Sequence, residues 1–235
     1  MTDEDSMENS VSAIRHKIIF VGDAGVGKTT IISRIMNNPF SEEYEPSIGV
    51  DFMSKNLKYH GQIVKLQIWD TAGQEKYKGL IPSYIRNSSI VFIVYDISSK
   101  TSFDNIPKWI NFVKSIDNTT LILCGNKIDL ENREVKKEEG EEFAKKENIP
   151  FYEVSAKTEE NIKDMFYKVI CDLPTFADNK NKENLIKELM QEDGVTNTQE
   201  GIKADQSGQK PEEKIVVDGK EKPAGKSTKK KGCHC

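Results

Sequence analysis

GDAGVGKT, residues 22–29, matches the pattern G-x-x-x-x-G-K-[ST] and lies between a β-branched run, 16–22, and a segment of helical spacing, 28–38. Glycines in such a loop let backbone N–H groups turn toward phosphate oxygens, and the helix that follows directs its positive end at the anion. The lysine reaches the β- and γ-phosphates, and the hydroxyl after it ligates Mg²⁺. The sequence therefore predicts a phosphate and Mg²⁺ site built by Asp23, Ala24, Gly25, Val26, Gly27, Lys28, Thr29 and Thr30.

Apolar runs of strand length alternate with helical segments over most of the chain. Residues 50–60 and 62–70 alternate apolar and polar side chains around Gly61, which predicts a hairpin. The runs 90–97 and 121–126 are typical of strands buried on both faces. Helical spacing recurs at 100–116, 136–147 and 159–173. This order predicts a three-layer α/β domain, with a mainly parallel six-stranded sheet, one antiparallel strand and helices on both faces.

Two short motifs follow the last two predicted strands. Asn126-Lys127-Ile128-Asp129 comes directly after one apolar run, and Ser155-Ala156-Lys157 follows the short strand 150–154. The carboxylate of the first motif can accept the N1–H and N2–H₂ donors of guanine, whereas adenine offers no matching pair. A backbone N–H of the second motif can reach guanine O6. The motifs therefore predict GTP or GDP as the ligand, bound by Asn126, Lys127, Asp129, Ser155, Ala156 and Lys157.

DTAGQ, residues 70–74, follows the second strand of the predicted hairpin. Asp70 at the end of that strand can hold Mg²⁺ through a water, and Gly73 can offer its N–H to the γ-phosphate. Gln74 can orient the attacking water, which makes Gln74 and Lys28 the candidate catalytic residues. The alternatives, a strand-end cap for Asp70 and a solvated loop residue for Gln74, are less favoured beside a phosphate loop.

Together GDAGVGKT, DTAGQE, NKID and SAK resemble the motifs of a Ras-superfamily small GTPase, over residues 14–174. IGVDF (48–52), KLQIWDTAGQE (65–75) and the final Cys-His-Cys are similar to the Rab family of vesicle-traffic GTPases. LIPSYIRNSS (80–89) and the late Asp-Leu-Pro resemble the Rab subgroup that works at the Golgi. The resemblance implies a membrane-anchored switch that hydrolyses GTP to GDP and phosphate, slowly without an activating protein, and recruits effectors in vesicle transport.

The resemblance also assigns individual residues. Phe40 lies where the family stacks an aromatic ring on guanine, and Tyr44 lies where a tyrosine covers the phosphates. Ser47 takes the place of the usual threonine that ligates Mg²⁺, and it keeps the hydroxyl. The effector surface of a Rab corresponds to Ile48, Phe52, Trp69 and Tyr84. An alternative stays open for the two strand residues among these, which can be ordinary members of the core face.

The last quarter of the chain differs in composition. No aromatic residue follows Phe176, and residues 220–232 hold six lysines against Glu221, although the whole chain carries a net charge of −4. Such a segment buries too little apolar surface to fold. We predict a disordered N-terminus, a GTPase domain and a disordered tail, at 1–12, 13–175 and 176–235. Residues 183–190 (ENLIKELM) have helical apolar spacing, and a flexible chain is slightly favoured over a short amphipathic helix.

The tail ends on Cys233 and Cys235. Two thiolates and one imidazole fall one ligand short of a structural zinc site, and a disulfide across one residue would be strained. In a Rab-like chain this ending resembles the signal for a geranylgeranyl group on both cysteines. Two lipid chains beside a lysine block agree with the two signals that stable anchoring takes. Cys124 and Cys171 stand in apolar contexts and are predicted to be buried.

The resemblance further implies partners and a location. The partners are a GTPase-activating protein, an exchange factor, effectors, and a GDP-dissociation inhibitor or escort protein that shields the lipids. The location is the cytoplasmic face of endomembranes, above all the Golgi, with a soluble cytosolic pool in the GDP form. A nucleic-acid partner is not expected, because the folded part is net acidic. Three alternatives stay open: a GTP-binding module with negligible hydrolysis, a soluble nuclear or signalling GTPase, and a Rab of another compartment. A P-loop ATPase is the least favoured alternative, since Asp129 should reject adenine.

Overall fold

A computed structural model describes residues 14–40, 50–71 and 81–192. A six-stranded sheet in the order β2-β3-β1-β4-β5-β6 forms its centre. The strands are β1 Ile14–Val21, β2 Val50–Tyr59, β3 Gln62–Thr71, β4 Ile90–Asp96, β5 Thr120–Asn126 and β6 Phe151–Val154. β2 and β3 pair antiparallel, and the other neighbouring strands pair parallel. The predicted fold class is confirmed.

Helices cover both faces of the sheet. They are α1 Lys28–Ile35, α2 Ile81–Ile85, α3 Lys100–Asp104, α4 Ile106–Lys114, α5 Lys137–Glu147, α6 Ile162–Ile170 and α7 Lys182–Glu192, with a 3₁₀ turn at Pro174–Phe176. The single helical segment predicted at 100–116 is two helices, α3 and α4, which meet at Asn105. Proline stands in the first turn of α4, where its missing N–H costs no intrahelical hydrogen bond.

The turn between β2 and β3 confirms the predicted hairpin. His60 and Gly61 have φ angles of 48° and 76°, and Tyr59 pairs with Gln62 on either side of them. Two consecutive residues with positive φ are what a type I′ turn needs to match the twist of the strands. This two-residue turn fixes the register of the hairpin and therefore places Asp70 at the far end of β3.

Two apolar cores hold the layers together. One lies between the sheet and the helices α1, α6 and α7, and the other between the sheet and α2, α3, α4 and α5. Every residue of β4 is buried, as the continuous apolar run predicted. Phe20 and Phe92 stack in the first core with their ring centroids 4.5 Å apart. Cys124 and Cys171 are free thiols and buried, as expected.

The strand register brings the carboxyl ends of five strands to one edge. Phe20 lies beside Asp70, Asp96 lies beside Asn126, and Asn126 lies beside Val154. Because each of these positions is the last or next-to-last residue of its strand, the predicted motifs emerge side by side. Ligands of parallel α/β sheets bind at this edge.

The predicted C-terminal boundary of the folded domain is wrong. The predicted disordered tail began at residue 176, yet α7 packs against the first core with Leu185 and Leu189 only 2% and 1% exposed. Tyr59 fixes the connection to α7, because its hydroxyl donates to Asp178 Oδ1 at 2.7 Å and its ring contacts Phe176. The two leucines lie one helical turn apart, so a single face of α7 meets the core although the segment as a whole is polar.

None of the helices in the three described ranges is long and apolar enough to cross a membrane. Residues 193–235, which carry the lysine block and the terminal cysteines, lie outside those ranges.

Candidate nucleotide-binding site

The loop between β1 and α1 has a backbone that only glycine fits at two places. Gly22 has a φ of 143°, and a Cβ there would lie 2.2 Å from the Val94 carbonyl oxygen of β4. Gly27 has a φ of 94°, and a Cβ there would lie 2.3 Å from Asn126 Nδ2. The loop is therefore pressed against β4 and β5 while α1 begins directly after it, as a phosphate-binding loop requires.

Lys28 reaches back across this loop. Its side chain is only 5% exposed, and Nζ donates to the carbonyl oxygens of Gly22 and Asp23 at 2.9 and 2.7 Å. Burial lowers the pKa of Lys28 to about 8, against the opposing effect of the Asp70 and Asp23 carboxylates. A buried ammonium gains most from an anion beside it, so this lysine fits the predicted phosphate contact.

The two described candidates for Mg²⁺ lie in direct contact. Thr29 Oγ1 donates to Asp70 Oδ2 at 2.5 Å, and Asp70 is buried at the end of β3. Thr71 fixes this strand end, because its hydroxyl donates to the Phe20 carbonyl at 2.7 Å. A hydroxyl and a carboxylate are the hard oxygen donors that Mg²⁺ takes. The residues present therefore fit Mg²⁺, with Thr29 as a direct ligand and Asp70 beside it.

Asn126 joins the phosphate loop to the predicted base-recognition loop. Its buried amide donates from Nδ2 to the Val26 carbonyl at 2.9 Å, and its Oδ1 accepts the N–H of Ala156 at 3.1 Å. A single side chain on β5 thus holds two loops that lie far apart in sequence. The predicted phosphate loop and the predicted base-recognition loop are therefore joined into one site.

Asp129 has a fixed orientation. Ser155 Oγ donates to Asp129 Oδ1 at 2.6 Å and accepts the N–H of Thr158 at 3.0 Å. The serine of one predicted motif therefore positions the carboxylate of the other. This contact limits the directions in which Asp129 can accept hydrogen bonds from a base.

Lys127 is held by an acidic side chain that the sequence analysis did not single out. Its Nζ lies 2.6 Å from Asp96 Oδ2 at the end of β4. Asp96 also accepts hydrogen bonds from the backbone and hydroxyl of Ser98. Lys127 itself has a φ of 71°, so the ion pair stabilises an unusual backbone conformation beside the site.

Asp23 has partners that no motif indicated. Asn105 Nδ2 donates to Asp23 Oδ2 at 2.7 Å, and Trp109 Nε1 donates to Asp23 Oδ1 at 2.8 Å. These donors lie at the junction of α3 and α4 and on α4 itself. The first residue of the phosphate loop after Gly22 is therefore fixed by the helices on one face of the sheet.

The aromatic residues assigned to an effector surface contact one another. The ring centroids of Phe52 and Trp69 are 4.8 Å apart, and those of Trp69 and Tyr84 are also 4.8 Å apart. All three side chains are half-buried. We call this set the aromatic triad. Within the described ranges, the buried indole N–H of Trp69 has no hydrogen-bond partner.

Several predicted residues lie outside the described ranges, and their assignments stay predictions. They are Tyr44, Ser47, Ile48, Gly73, Gln74, Cys233 and Cys235. The other predicted site residues, including Phe40 near the end of α1, belong to the described part of the chain.

A phosphate loop between the first strand and helix, joined through Asn126 to a base-recognition loop, defines a P-loop nucleotide-binding domain. Comparison with protein families matches residues 17–175 to the Ras family. The chain belongs to this family, and it is therefore a small GTPase of the Ras superfamily and a GTP-binding switch. Proteins of this kind bind guanine nucleotide, typically with Mg²⁺, and work with regulators.

Proposed function

We propose that this protein binds GTP with Mg²⁺, hydrolyses it slowly to GDP and phosphate, and presents an effector-binding surface only in the GTP state. The observation that carries the proposal is the pair of hydrogen bonds made by Asn126. They couple the phosphate loop at Val26 to the base-recognition loop at Ala156. A nucleotide that contacts both loops at once is thereby selected by its base as well as by its phosphates.

Base selection follows from the orientation of Asp129. The Ser155 hydroxyl donates to Asp129 Oδ1 at 2.6 Å. The carboxylate still has lone pairs for the N1–H and N2–H₂ groups of guanine. Guanine O6 accepts from the backbone of the second motif. The Ala156 N–H already donates to Asn126 at 3.1 Å, so O6 shares that donor or takes the next N–H, that of Lys157.

The phosphate end combines positive charge with oriented donors. Lys28 contacts the β- and γ-phosphates, and backbone N–H groups of residues 23–29 surround them. Thr29, Asp70 and Ser47 are the residues that would hold Mg²⁺. Bound Mg²⁺ supplies charge neutralisation on the β- and γ-phosphate oxygens.

Hydrolysis needs a water aligned with the γ-phosphate, and Gln74 is the residue assigned to orient it. Water attacks phosphorus, the bond to the bridging oxygen breaks, and GDP leaves as phosphate forms. Turnover without a partner is expected on the order of 10⁻⁴ to 10⁻² s⁻¹, as in GTPases that await an arginine from an activating protein. Loss of the γ-phosphate then ends the GTP state that effectors recognise.

The test is to load purified protein with GTP and to follow the bound nucleotide by chromatography, with Gln74→Leu alongside. We expect the wild type to convert GTP to GDP over minutes to hours and the variant to keep GTP. Equal persistence of GTP in both proteins contradicts hydrolysis and favours a GTP-binding module.

Asp129→Asn is the matched control for base selection. It keeps the size of the side chain and removes the carboxylate, so guanine nucleotide should bind far more weakly while xanthine nucleotide gains affinity. Unchanged affinity for GDP would contradict the role given to this residue.

We also propose that the protein is a Rab-type GTPase anchored to membranes by lipids on Cys233 and Cys235, and that it acts in vesicle transport at the Golgi. The contact among Phe52, Trp69 and Tyr84 supports the effector part of this proposal. Half-buried rings in mutual contact offer a partner apolar, aromatic area.

A further inference from the structure

Arg34, in the last turn of α1, makes an unusually complete set of contacts. Its Nε donates to the Ala156 carbonyl at 2.9 Å, and its Nη2 donates to the Lys157 carbonyl at 3.0 Å. Its Nη1 donates to the Asn38 carbonyl at 3.1 Å and lies 2.8 Å from Glu159 Oε1. The side chain of Arg34 is only 10% exposed. Each nitrogen of the guanidinium therefore has a partner.

These partners belong to the two segments that flank the proposed base. Ala156 and Lys157 carry the backbone N–H groups proposed above as donors to guanine O6. On the other side, the Phe40 ring centroid lies 5.7 Å from Arg34 Cζ, and the Asn38 carbonyl fixes the chain that leads to Phe40. Arg34 therefore connects the part of the site that contacts the base edge with the ring assigned to the base face.

A role confined to ending α1 does not explain this geometry. One acceptor, Asn38, belongs to the end of that helix, whereas Ala156 and Lys157 lie more than a hundred residues away in sequence. Arginine suits the arrangement, because its rigid fork donates in several fixed directions at once, and lysine offers a single flexible point charge. The contacts to the phosphate end are separate, since Lys28 and Asp70 bond to other groups.

We propose that Arg34 is a positioning residue for the guanine base. It holds the Ala156–Lys157 backbone and the Phe40 ring at the separation at which both can contact the base. It does not contact the phosphates in this proposal. The inference rests on the proposed function, because it presupposes that a guanine nucleotide binds here. Its consequence is specific: loss of Arg34 shortens the residence time of the nucleotide and leaves hydrolysis in the bound complex unchanged.

The experiment compares wild type with Arg34→Lys and Arg34→Gln, each loaded with GDP labelled on the ribose by a fluorophore and chased with excess GDP. We expect Arg34→Lys to dissociate about tenfold to a hundredfold faster, since charge-assisted hydrogen bonds are lost. Arg34→Gln loses the positive charge as well as the fork and should dissociate at least as fast as Arg34→Lys. Single-turnover hydrolysis of preloaded GTP should stay within about twofold of wild type.

Arg133→Lys is the matched control. Arg133 also bonds a carbonyl and a carboxylate, those of Val135 and Glu153, but it does not contact the segments that flank the base. We expect this variant to lower the melting temperature without changing the dissociation rate of GDP.

The outcomes separate the two levels of the proposal. If wild type retains no guanine nucleotide, the proposed function fails. If wild type retains it and Arg34→Lys dissociates no faster, only the positioning role is overturned. A variant that loses GDP retention, hydrolysis rate and melting temperature together would also overturn it, because that pattern indicates a structural role alone.

Discussion

At the scale of single residues, burial changes the chemistry of Lys28 in the phosphate loop. The ammonium is almost fully enclosed, and its pKa is lowered to about 8. Two backbone carbonyls and two nearby carboxylates offset part of the cost of burying the charge. A bound di- or triphosphate adds negative charge next to Nζ and favours the protonated form. Nucleotide binding and protonation of Lys28 are therefore coupled.

This coupling gives a pH dependence with a definite sign. The complex keeps the proton on Lys28, whereas the nucleotide-free protein loses it as the pH rises through about 8, so affinity for GDP should fall with rising pH. The dissociation constant should increase about fourfold from about pH 7 to about pH 8.5. Isothermal titration calorimetry across this interval measures it.

Lys28→Met provides the control for this titration, because it keeps the apolar stem and carries no titratable group. It should bind GDP more weakly, and the Lys28 contribution to the pH dependence should be absent. Any change that remains in the variant belongs to the nucleotide or to other groups. Identical pH profiles for the two proteins would contradict the coupling.

The residues assigned to contact the nucleotide could be predicted from the sequence. The residues that hold them in position could not. Lys28, Lys127 and Asp129 stand in motifs whose spacing alone indicates their place at the edge of the sheet. Trp109 and Arg34 bond to residues 86 and 122 positions away. No local pattern marks such contacts, because they depend on how the helices pack on the sheet.

At the scale of elements, α7 shows how an average over composition conceals a helix. The segment after Phe176 is polar overall, and that average predicted disorder. Leu185 and Leu189 nevertheless lie on one face of α7 and reach the core beside α6 and β2. Burial of each leucine contributes about 1.5–3 kcal/mol, which offsets part of the conformational entropy lost when the helix is ordered. The strands were easier to predict, because β4 is a continuous apolar run, β5 is mostly one, and β3 largely alternates.

We expect Leu189→Ala to lower the free energy of unfolding by about 2–3 kcal/mol, at the low end for a buried leucine because α7 can detach while the rest stays folded. Urea unfolding in saturating GDP measures the change. Lys187→Ala, at an exposed position of the same helix, should change stability by less than about 0.5 kcal/mol. Equal stability of both variants would show that α7 does not pack on the domain in solution.

At the scale of the whole molecule, charge and function are divided along the chain. The net charge of −4 hides a strongly basic segment, residues 220–232, and a more acidic remainder. An acidic body is repelled by an anionic membrane, whereas the lysine block is attracted to it at about 1 kcal/mol per lysine near the surface. This distribution supports the proposed membrane contact of the lysine block.

The terminal cysteines decide between lipid anchoring and the alternatives for the Cys-His-Cys ending. In cells, we expect Cys233→Ser/Cys235→Ser to move the protein from membranes to the soluble fraction. Each single variant should bind membranes only weakly, because one lipid chain gives marginal anchoring.

Replacing Lys229, Lys230 and Lys231 by alanine is the control. It removes charge but keeps both lipid sites, so membrane binding should weaken and lose part of its salt dependence. Cell fractionation measures membrane binding, and mass spectrometry of the C-terminal peptide detects the lipids. A double serine variant that stays on membranes would contradict anchoring by these cysteines, and a C-terminal peptide of unmodified mass would exclude the lipids.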